Sequence, residues 1–125
     1  MPNEKVLIID DCRVNVLLLK HVLSKINVQA DSAGSGESGI ELAVKGAYPL
    51  IFVDIMMPGI DGLETCRRLR AHPFKTKPCL LLLTAMGEKF SADSVEEVGA
   101  DGVFFKPIVP SQIIDVVKET MGLSQ

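Results

Sequence analysis

Five polar side chains follow directly on short apolar runs in this sequence: Asp10, Asp11, Asp54, Thr84 and Lys106. If the apolar runs are parallel strands of one sheet, these side chains meet at the edge formed by the strands' carboxyl ends. Three carboxylates placed this close together cannot all stay ionised without a counter-ion. Mg²⁺ suits such a group because it binds a few carboxylates and keeps several waters. With Lys106 also neutralising the oxygens and Thr84 donating a hydrogen bond, the site is expected to accept a phosphoryl group.

The three carboxylates are predicted to have different roles. Asp10 and Asp11 are adjacent in the chain, so their side chains diverge and form a metal-holding pair. Asp54 stands alone after the third apolar run, and the loop that follows it can leave it exposed. Asp54 is therefore the better candidate for the nucleophile that forms an acyl phosphate.

Apolar runs and amphipathic stretches alternate five times along the chain. Short continuous apolar runs are typical of buried strands, and apolar spacing near 3.6 indicates helices. The predicted strands are Val6–Ile9, Val28–Ser32, Leu50–Val53, Leu80–Leu83 and Val103–Phe105. The predicted helices are Val14–Ile26, a segment capped by Ser35 and closed by Gly46, Leu63–Arg70, Ser91–Val98, and a last one opened by Pro110. This order predicts an α/β fold, a single-domain three-layer α/β/α sandwich with a parallel sheet, over residues 1–125.

Side-chain spacing also predicts which helix faces are buried. Two apolar stripes are expected to pack on the sheet: Val14, Leu17, Leu18 and Val22 in the first helix, and Ile113, Val116 and Val117 in the last. The arginines of the third helix, Arg67, Arg68 and Arg70, are expected to form a solvated face.

Composition disfavours several functional classes. The net charge is −3 without a basic cluster, which disfavours direct nucleic-acid binding. No apolar run approaches the length of a membrane span, so no membrane association is expected. Three cysteines without CxxC spacing favour reduced thiols in a cytoplasmic chain. A structural zinc site is not expected, because neither His21 nor His72 has ligand spacing.

The motifs that surround these residues resemble the receiver domain of two-component response regulators, along the full length of the chain. They are Ile8-Ile9-Asp10-Asp11, Val53-Asp54-Ile55-Met56-Met57-Pro58-Gly59-Ile60-Asp61-Gly62, Leu83-Thr84-Ala85, Gly99-Ala100-Asp101-Gly102 and Lys106-Pro107. The resemblance implies a five-stranded flavodoxin-like sheet of order 2-1-3-4-5. It also implies phosphorylation of Asp54 by a phosphohistidine on a sensor histidine kinase or phosphotransfer protein.

The same resemblance implies a ligand set and a mode of action. Mg²⁺ would be held by Asp11, Asp54 and the backbone carbonyl of Met56, with Asp10 acting through water. The Lys106–Pro107 peptide bond is expected to be cis. The chain would be a phosphorylation-dependent switch in a phosphorelay and not a turnover enzyme, although it would assist its own phosphorylation and dephosphorylation. It would act on a downstream protein target or on an output domain outside this sequence.

Three positions, Val103, Met56 and Met86, are expected to affect how the switch works. Receivers commonly carry Tyr or Phe where this chain has Val103, which puts the usual aromatic switch in doubt. Strand alternation places Phe104 on the opposite face from Val103, and Phe105 is expected in the core. In the family, the side chains at Met56 and Met86 flank the acyl phosphate and shape the path of the attacking water. Because both are apolar here, a long-lived phosphorylated form is expected, unless the two methionines turn outward and matter only to a partner surface.

Two other functions fit parts of the pattern. Gly34-Ser-Gly36-Glu-Ser-Gly39 matches the dinucleotide-binding fingerprint, with Asp54 at the spacing of the ribose-binding acid. That interpretation requires an apolar strand before the glycines, where this chain has Gln29, Asp31 and Ser32, and it leaves the other strand-end residues unexplained. The glycines are expected to serve a tight turn and helix packing. A phosphohydrolase with Asp10 as nucleophile would need a second acid at the position of Cys12.

Overall fold

The computed structural model describes residues 5–85 and 92–123, in which five strands alternate with five helices. The elements are β1 Lys5–Ile9, α1 Arg13–Ser24, β2 Gln29–Ala33, α2 Gly36–Lys45, β3 Leu50–Asp54, α3 Gly62–Ala71, β4 Cys79–Ala85, α4 Ala92–Glu97, β5 Gly102–Lys106 and α5 Pro110–Met121. Each predicted element is present, with ends that differ from the prediction by a few residues. No helix among the described residues is long and apolar enough to cross a bilayer.

The five strands form one parallel sheet in the order β2-β1-β3-β4-β5. This confirms the strand order 2-1-3-4-5 and the flavodoxin-like arrangement. The central strand β3 is buried along its whole length, whereas β2 at one edge is half-exposed. An edge strand tolerates polar side chains, which explains why β2 carries Asp31, whose carboxylate accepts a hydrogen bond from the Tyr48 hydroxyl at 2.7 Å.

Two hydrophobic clusters cover the two faces of the sheet. Because side chains alternate along a strand, Val6 and Ile8 pack in the cluster with α1 and α5. Leu7 and Ile9 pack in the other cluster, with α2, α3 and the end of α4. Full burial of one such side chain stabilises the fold by about 1.5–3 kcal/mol. Helices on both faces confirm the predicted α/β/α layers.

Two glycines within α2, Gly36 and Gly39, serve helix packing. A Cβ on Gly36 would lie 2.2 Å from Oγ1 of Thr65 in α3, and one on Gly39 would lie 2.4 Å from Cδ1 of Ile9 in β1. The Ser35 hydroxyl accepts a hydrogen bond from the Ser38 N–H and caps the helix, as predicted. The missing side chains therefore let α2 approach its neighbours closely, which is the packing role expected of these glycines.

The buried face of α1 differs from the predicted one. Val22 is buried, but Val14, Leu17 and Leu18 are 72, 60 and 39% exposed. The residues that pack on the sheet are instead Leu19, Val22 and Leu23. Apolar residues are so dense along this helix that two stripes satisfy helical spacing, and the approach angle of the helix selects one of them.

Two further expectations about burial were wrong. Phe105 is 48% exposed and not in the core, because it lies near the carboxyl end of the edge strand β5. Arg70 is not part of a solvated face: its guanidinium donates to the carbonyls of Gly99 and Pro78 and to the carboxylate of Asp101. Arg67 and Arg68 do lie on the surface, where both pair with Glu64. Arg70 therefore ties α3 to the turn after α4.

Candidate functional site

The carboxyl ends of β1, β3, β4 and β5 bring the predicted residues to one edge of the sheet. Ile9 pairs with Val53, so Asp10 and Asp54 follow at the same level of neighbouring strands. Ala85 pairs with Lys106 across β4 and β5, which puts Thr84 and Lys106 at that same edge. The expected convergence follows from strand order and register.

Lys106 lies between two buried carboxylates. Its Nζ donates to Oδ1 of Asp54 at 3.2 Å and lies 3.5 Å from Oδ2 of Asp10. The other oxygen of Asp10 accepts a hydrogen bond from the Cys12 N–H at 2.9 Å, which fixes the orientation of that carboxylate. Thr84 is fully buried, and its hydroxyl makes a long contact of 3.4 Å with the Ala85 carbonyl.

The site carries more negative charge than Lys106 can balance. Burial, followed by the neighbouring charge of Asp10, raises the pKa of Asp54 to about 6, although Lys106 acts in the opposite direction. Burial opposes the charge of Lys106, but the carboxylates of Asp10 and Asp54 outweigh it and raise the pKa of that ammonium. Each carboxylate therefore favours a cation close by.

The three aspartates can hold a metal ion. Asp10, Asp11 and Asp54 each offer one carboxylate oxygen, and these oxygens lie within 4.8 Å of one another. Asp10 Oδ2 is buried and has no hydrogen-bond partner among the described residues. Asp11 is exposed, so solvent reaches the group. An all-oxygen set with one open side fits a hard divalent cation.

The loop after Asp54 ends at Gly62, whose backbone lies close to the backbone of Asp54 and Ile55. The Gly62 N–H donates to the Ile55 carbonyl at 2.8 Å. A Cβ on Gly62 would lie 2.2 Å from the Asp54 carbonyl oxygen, so only glycine permits this approach. Sequence analysis did not single out Gly62 as a positioning residue. The signal was present as Asp61-Gly62, because Asp61 caps α3 and its side chain accepts from the Glu64 N–H.

Access to Asp54 differs from the expectation. Asp54 is only 4% exposed, and its carboxylate contacts the ammonium of Lys106. The loop that follows Asp54 therefore does not leave its side chain open to solvent. Met56, two residues later, is 63% exposed. Met86 lies outside the described residues. Val103 is half-buried against the cluster of α2 and α3, and Phe104 packs on the opposite cluster, as strand alternation predicted.

Comparisons with known proteins agree with this geometry. The family described as response regulator receiver domain matches residues 6–118. The chain is 36% identical over 114 residues to the transcriptional regulatory protein ResD of Bacillus subtilis, covering 91% of this chain and 46% of that protein. It is 33% identical over 123 residues to the alkaline phosphatase synthesis transcriptional regulatory protein PhoP of the same organism, covering 98% of this chain and 50% of that protein. The chain thus spans about half the length of these curated relatives.

Solved structures resemble this chain over nearly its whole length. A two-component response regulator from Clostridium difficile superposes with a TM-score of 0.85 at 27% identity, covering 96% of this chain and 97% of that one. A CheY-like response regulator receiver domain protein from Methanospirillum hungatei gives a TM-score of 0.82 at 28% identity, with coverages of 95% and 94%.

Proposed function

The chain belongs to the response regulator receiver domain family of two-component systems, and we propose that Asp54 is the residue on which it accepts a phosphoryl group. The observation that carries this proposal is the position of the Asp54 carboxylate, which lies beside Asp10 and within 3.2 Å of the Lys106 ammonium. We propose that residues 1–125 form one such receiver domain and that the chain acts in the cytoplasm.

The proposed donor is a phosphohistidine on a sensor histidine kinase or a phosphotransfer protein. An oxygen of the Asp54 carboxylate attacks the phosphorus, and a P–O bond forms as the P–N bond breaks. The imidazole nitrogen keeps the electron pair of the broken bond and takes a proton from solvent. Lys106 moves from the Asp54 carboxylate to a phosphoryl oxygen, and the Thr84 hydroxyl turns from the Ala85 carbonyl to donate to another.

We propose Mg²⁺ as the metal, held by Asp11, Asp54 and the Met56 backbone carbonyl, with Asp10 acting through water. When bound, this ion supplies positive charge that offsets the phosphoryl oxygens. The support is the set of three carboxylate oxygens within 4.8 Å of one another, together with the buried Oδ2 of Asp10, which accepts no hydrogen bond among the described residues and lies 3.5 Å from the Lys106 ammonium.

The proposed output is a switch and not turnover of a substrate. Phosphorylation draws Lys106 and Thr84 toward the new group, so the ends of β4 and β5 are expected to adjust. The Val103 side chain is small, so a change of its rotamer would alter little of the protein surface. The backbone of these strand ends carries the signal instead. The recipient is a downstream protein or an output domain beyond this sequence.

Intact-mass measurement after incubation with acetyl phosphate tests the proposal. One added phosphoryl group is expected with Mg²⁺, and none with a chelator or in Asp54→Asn. Asp61→Asn is the matched control, since Asp61 caps α3 and is not among the three clustered carboxylates. Equal labelling of Asp54→Asn would refute the assignment of the nucleophile.

A further inference from the structure

A cavity of about 240 Å³ lies beside the amino ends of β3 and β4, at the opposite end of the sheet from Asp54. We call it the Tyr48–Phe74 cavity, after the two half-buried aromatic residues in its walls. Cavities for drug-sized molecules have volumes of roughly 300–1,000 Å³, so this smaller one suits a single large side chain. Its apolar lining includes Ala43, Tyr48, Pro49, Ile51, Phe74 and Pro78.

Both aromatic walls of the cavity are held in place. A Cβ on Gly46 would lie 2.7 Å from Cε2 of Tyr48, so the glycine lets this ring lie against the end of α2. The Tyr48 hydroxyl donates to the Asp31 carboxylate at 2.7 Å, which fixes the far end of the side chain. The Phe74 ring packs edge-on against His72, with the ring centroids 4.5 Å apart. A cavity whose walls are already ordered loses little conformational entropy when it binds.

The rim of the cavity is basic. Lys75 lines it, and Lys77 lines a neighbouring cavity of about 300 Å³ on the other side of Phe74. Neither lining includes an acidic residue from the described part of the chain. Both lysines are exposed, and no carboxylate of the described residues forms an ion pair with either of them. The two ammonium groups therefore remain to attract a negatively charged partner.

From this combination we infer that the Tyr48–Phe74 cavity binds an acidic segment of a partner protein, which inserts one large apolar side chain and sets carboxylates against Lys75 and Lys77. The buried apolar anchor gives such a site its affinity, and the charges at the rim select the partner. The Tyr48 hydroxyl is already bonded to Asp31, which favours an apolar anchor over a polar group in the cavity. A second copy of this chain fits poorly, because a two-fold interface sets one basic rim beside the other.

The cavity is separate from the candidate phosphorylation site. Leu50 begins β3 and Asp54 ends it, so the two ends of this strand lie about 13 Å apart at about 3.3 Å per residue. The inference therefore does not rest on the proposed phosphotransfer. Affinity for the acidic segment is expected to be the same with and without acetyl phosphate.

The test uses a synthetic pentapeptide with one tryptophan flanked on each side by two glutamates. Because this chain has no tryptophan, the emission of the peptide reports binding directly, and amide chemical shifts of the protein locate the site. The peptide is expected to bind with shifts around Tyr48 and Phe74 and to weaken as salt is added. Counterparts with lysine for every glutamate, measured by emission, or with serine for the tryptophan, measured by chemical shifts, are each expected to bind at least about tenfold more weakly.

Variants separate the cavity from general charge attraction. Lys75→Glu and Phe74→Ser are each expected to weaken binding on the order of tenfold. Lys25→Glu makes the same charge change at an exposed position after α1, and Val109→Ser removes an exposed apolar side chain before α5. Both controls are expected to leave affinity unchanged. Ala47→Phe adds bulk to the lining at an exposed position and repeats the apolar test if Phe74→Ser does not fold.

Several results would overturn the inference. They are the absence of binding at millimolar protein, equal binding of the glutamate and lysine peptides, and weakening by Lys25→Glu or Val109→Ser equal to that by the cavity variants. Chemical shifts confined to other surfaces, or a dimer of this chain that Phe74→Ser dissociates, would also contradict it. Tighter binding of indole acetate than of the peptide would assign the cavity to a small organic acid instead.

Discussion

The Lys106 ammonium lies 3.2 Å from the Asp54 carboxylate and shares its charge with Asp10, so one cation serves two buried acids. Burial and then the negative charge of Asp10 raise the pKa of Asp54 to about 6 although Lys106 lowers it, and the two carboxylates raise the pKa of Lys106. Because burial and Asp10 both disfavour the charged form of Asp54, removal of that charge is expected to change the stability of the fold.

Without divalent ions at pH 7, Asp54→Asn is expected to raise the free energy of unfolding by roughly 1 to 3 kcal/mol. Folding raises the pKa of Asp54 to about 6. The protonated carboxyl group therefore favours the folded state below pH 4, and this contribution to stability is lost as the pH rises through about 6. The gain is therefore expected at pH 7 and should be small near pH 4. Urea unfolding at both pH values measures it, with the exposed Asp115→Asn as control. A loss of stability at pH 7 would contradict this account.

The single tyrosine gives a second pH-dependent test, because the chain has no tryptophan. Burial and then the hydrogen bond to Asp31 raise the pKa of Tyr48 to about 12. The stability this provides is present below the phenol's usual pKa of about 10 and is lost as the pH rises through about 12. Absorbance at the phenolate band should show the high midpoint, and Asp31→Asn should lower it. Circular dichroism at each pH checks that the chain is still folded; a wild-type midpoint at the ordinary value in folded protein would disprove the burial and bonding described for Tyr48.

Gly62 and Gly34 form a matched pair of glycines. A Cβ at Gly62 meets the Asp54 carbonyl oxygen at 2.2 Å, whereas a Cβ at Gly34 has nothing within 4 Å. Gly62→Ala is therefore expected to destabilise the fold by roughly 1–3 kcal/mol, as overpacking does, and to weaken Mg²⁺ binding because the loop after Asp54 is displaced. Gly34→Ala should be neutral or stabilising by up to about 1 kcal/mol. Thermal unfolding with and without Mg²⁺ measures both effects, and similar behaviour of the two variants would show that the close approach at Gly62 does not matter.

Met56 offers a test of the lifetime of the phosphorylated form. Its side chain is 63% exposed at the start of the loop after Asp54, and it can neither orient a water nor act as a base. Met56→Asn is expected to speed the loss of phosphate about tenfold, which corresponds to about 1.4 kcal/mol in the barrier. The decay of purified phosphoprotein in excess Mg²⁺ measures this. Val44→Asn makes a similar change on the exposed side of α2 and should have no effect; unchanged decay in Met56→Asn would mean that this side chain does not control water.

The strand order and the convergence at the sheet edge could be predicted because they follow from local signals. Short apolar runs followed by Asp10, Asp54 or Lys106 mark the strands and their ends, and parallel pairing then brings those ends together. The dinucleotide-like glycines could be interpreted as packing residues because the strand before them is polar.

The predictions that were wrong concern which side chains are buried, and tertiary packing determines that burial. Leu17 and Leu19 are equally apolar, and only the approach angle of α1 determines that Leu19 is buried. Phe105 resembles a core residue in a strand, but its strand is at the edge of the sheet and its position is near the end. Arg70 becomes a structural residue because Asp101 and two carbonyls, distant in sequence, are its partners. None of these contacts leaves a periodic signal in the sequence.

Identification of the modified residue tests the central claim most directly. After phosphorylation by acetyl phosphate with Mg²⁺, borohydride reduction converts an aspartyl phosphate to homoserine, and tandem mass spectrometry of the peptides locates it. We predict homoserine at position 54 alone, with its yield removed by a chelator and strongly reduced in Lys106→Ala. Homoserine at position 10 or 11, or phosphate found only on Ser, Thr or His, would contradict the assignment of Asp54 as the phosphoacceptor.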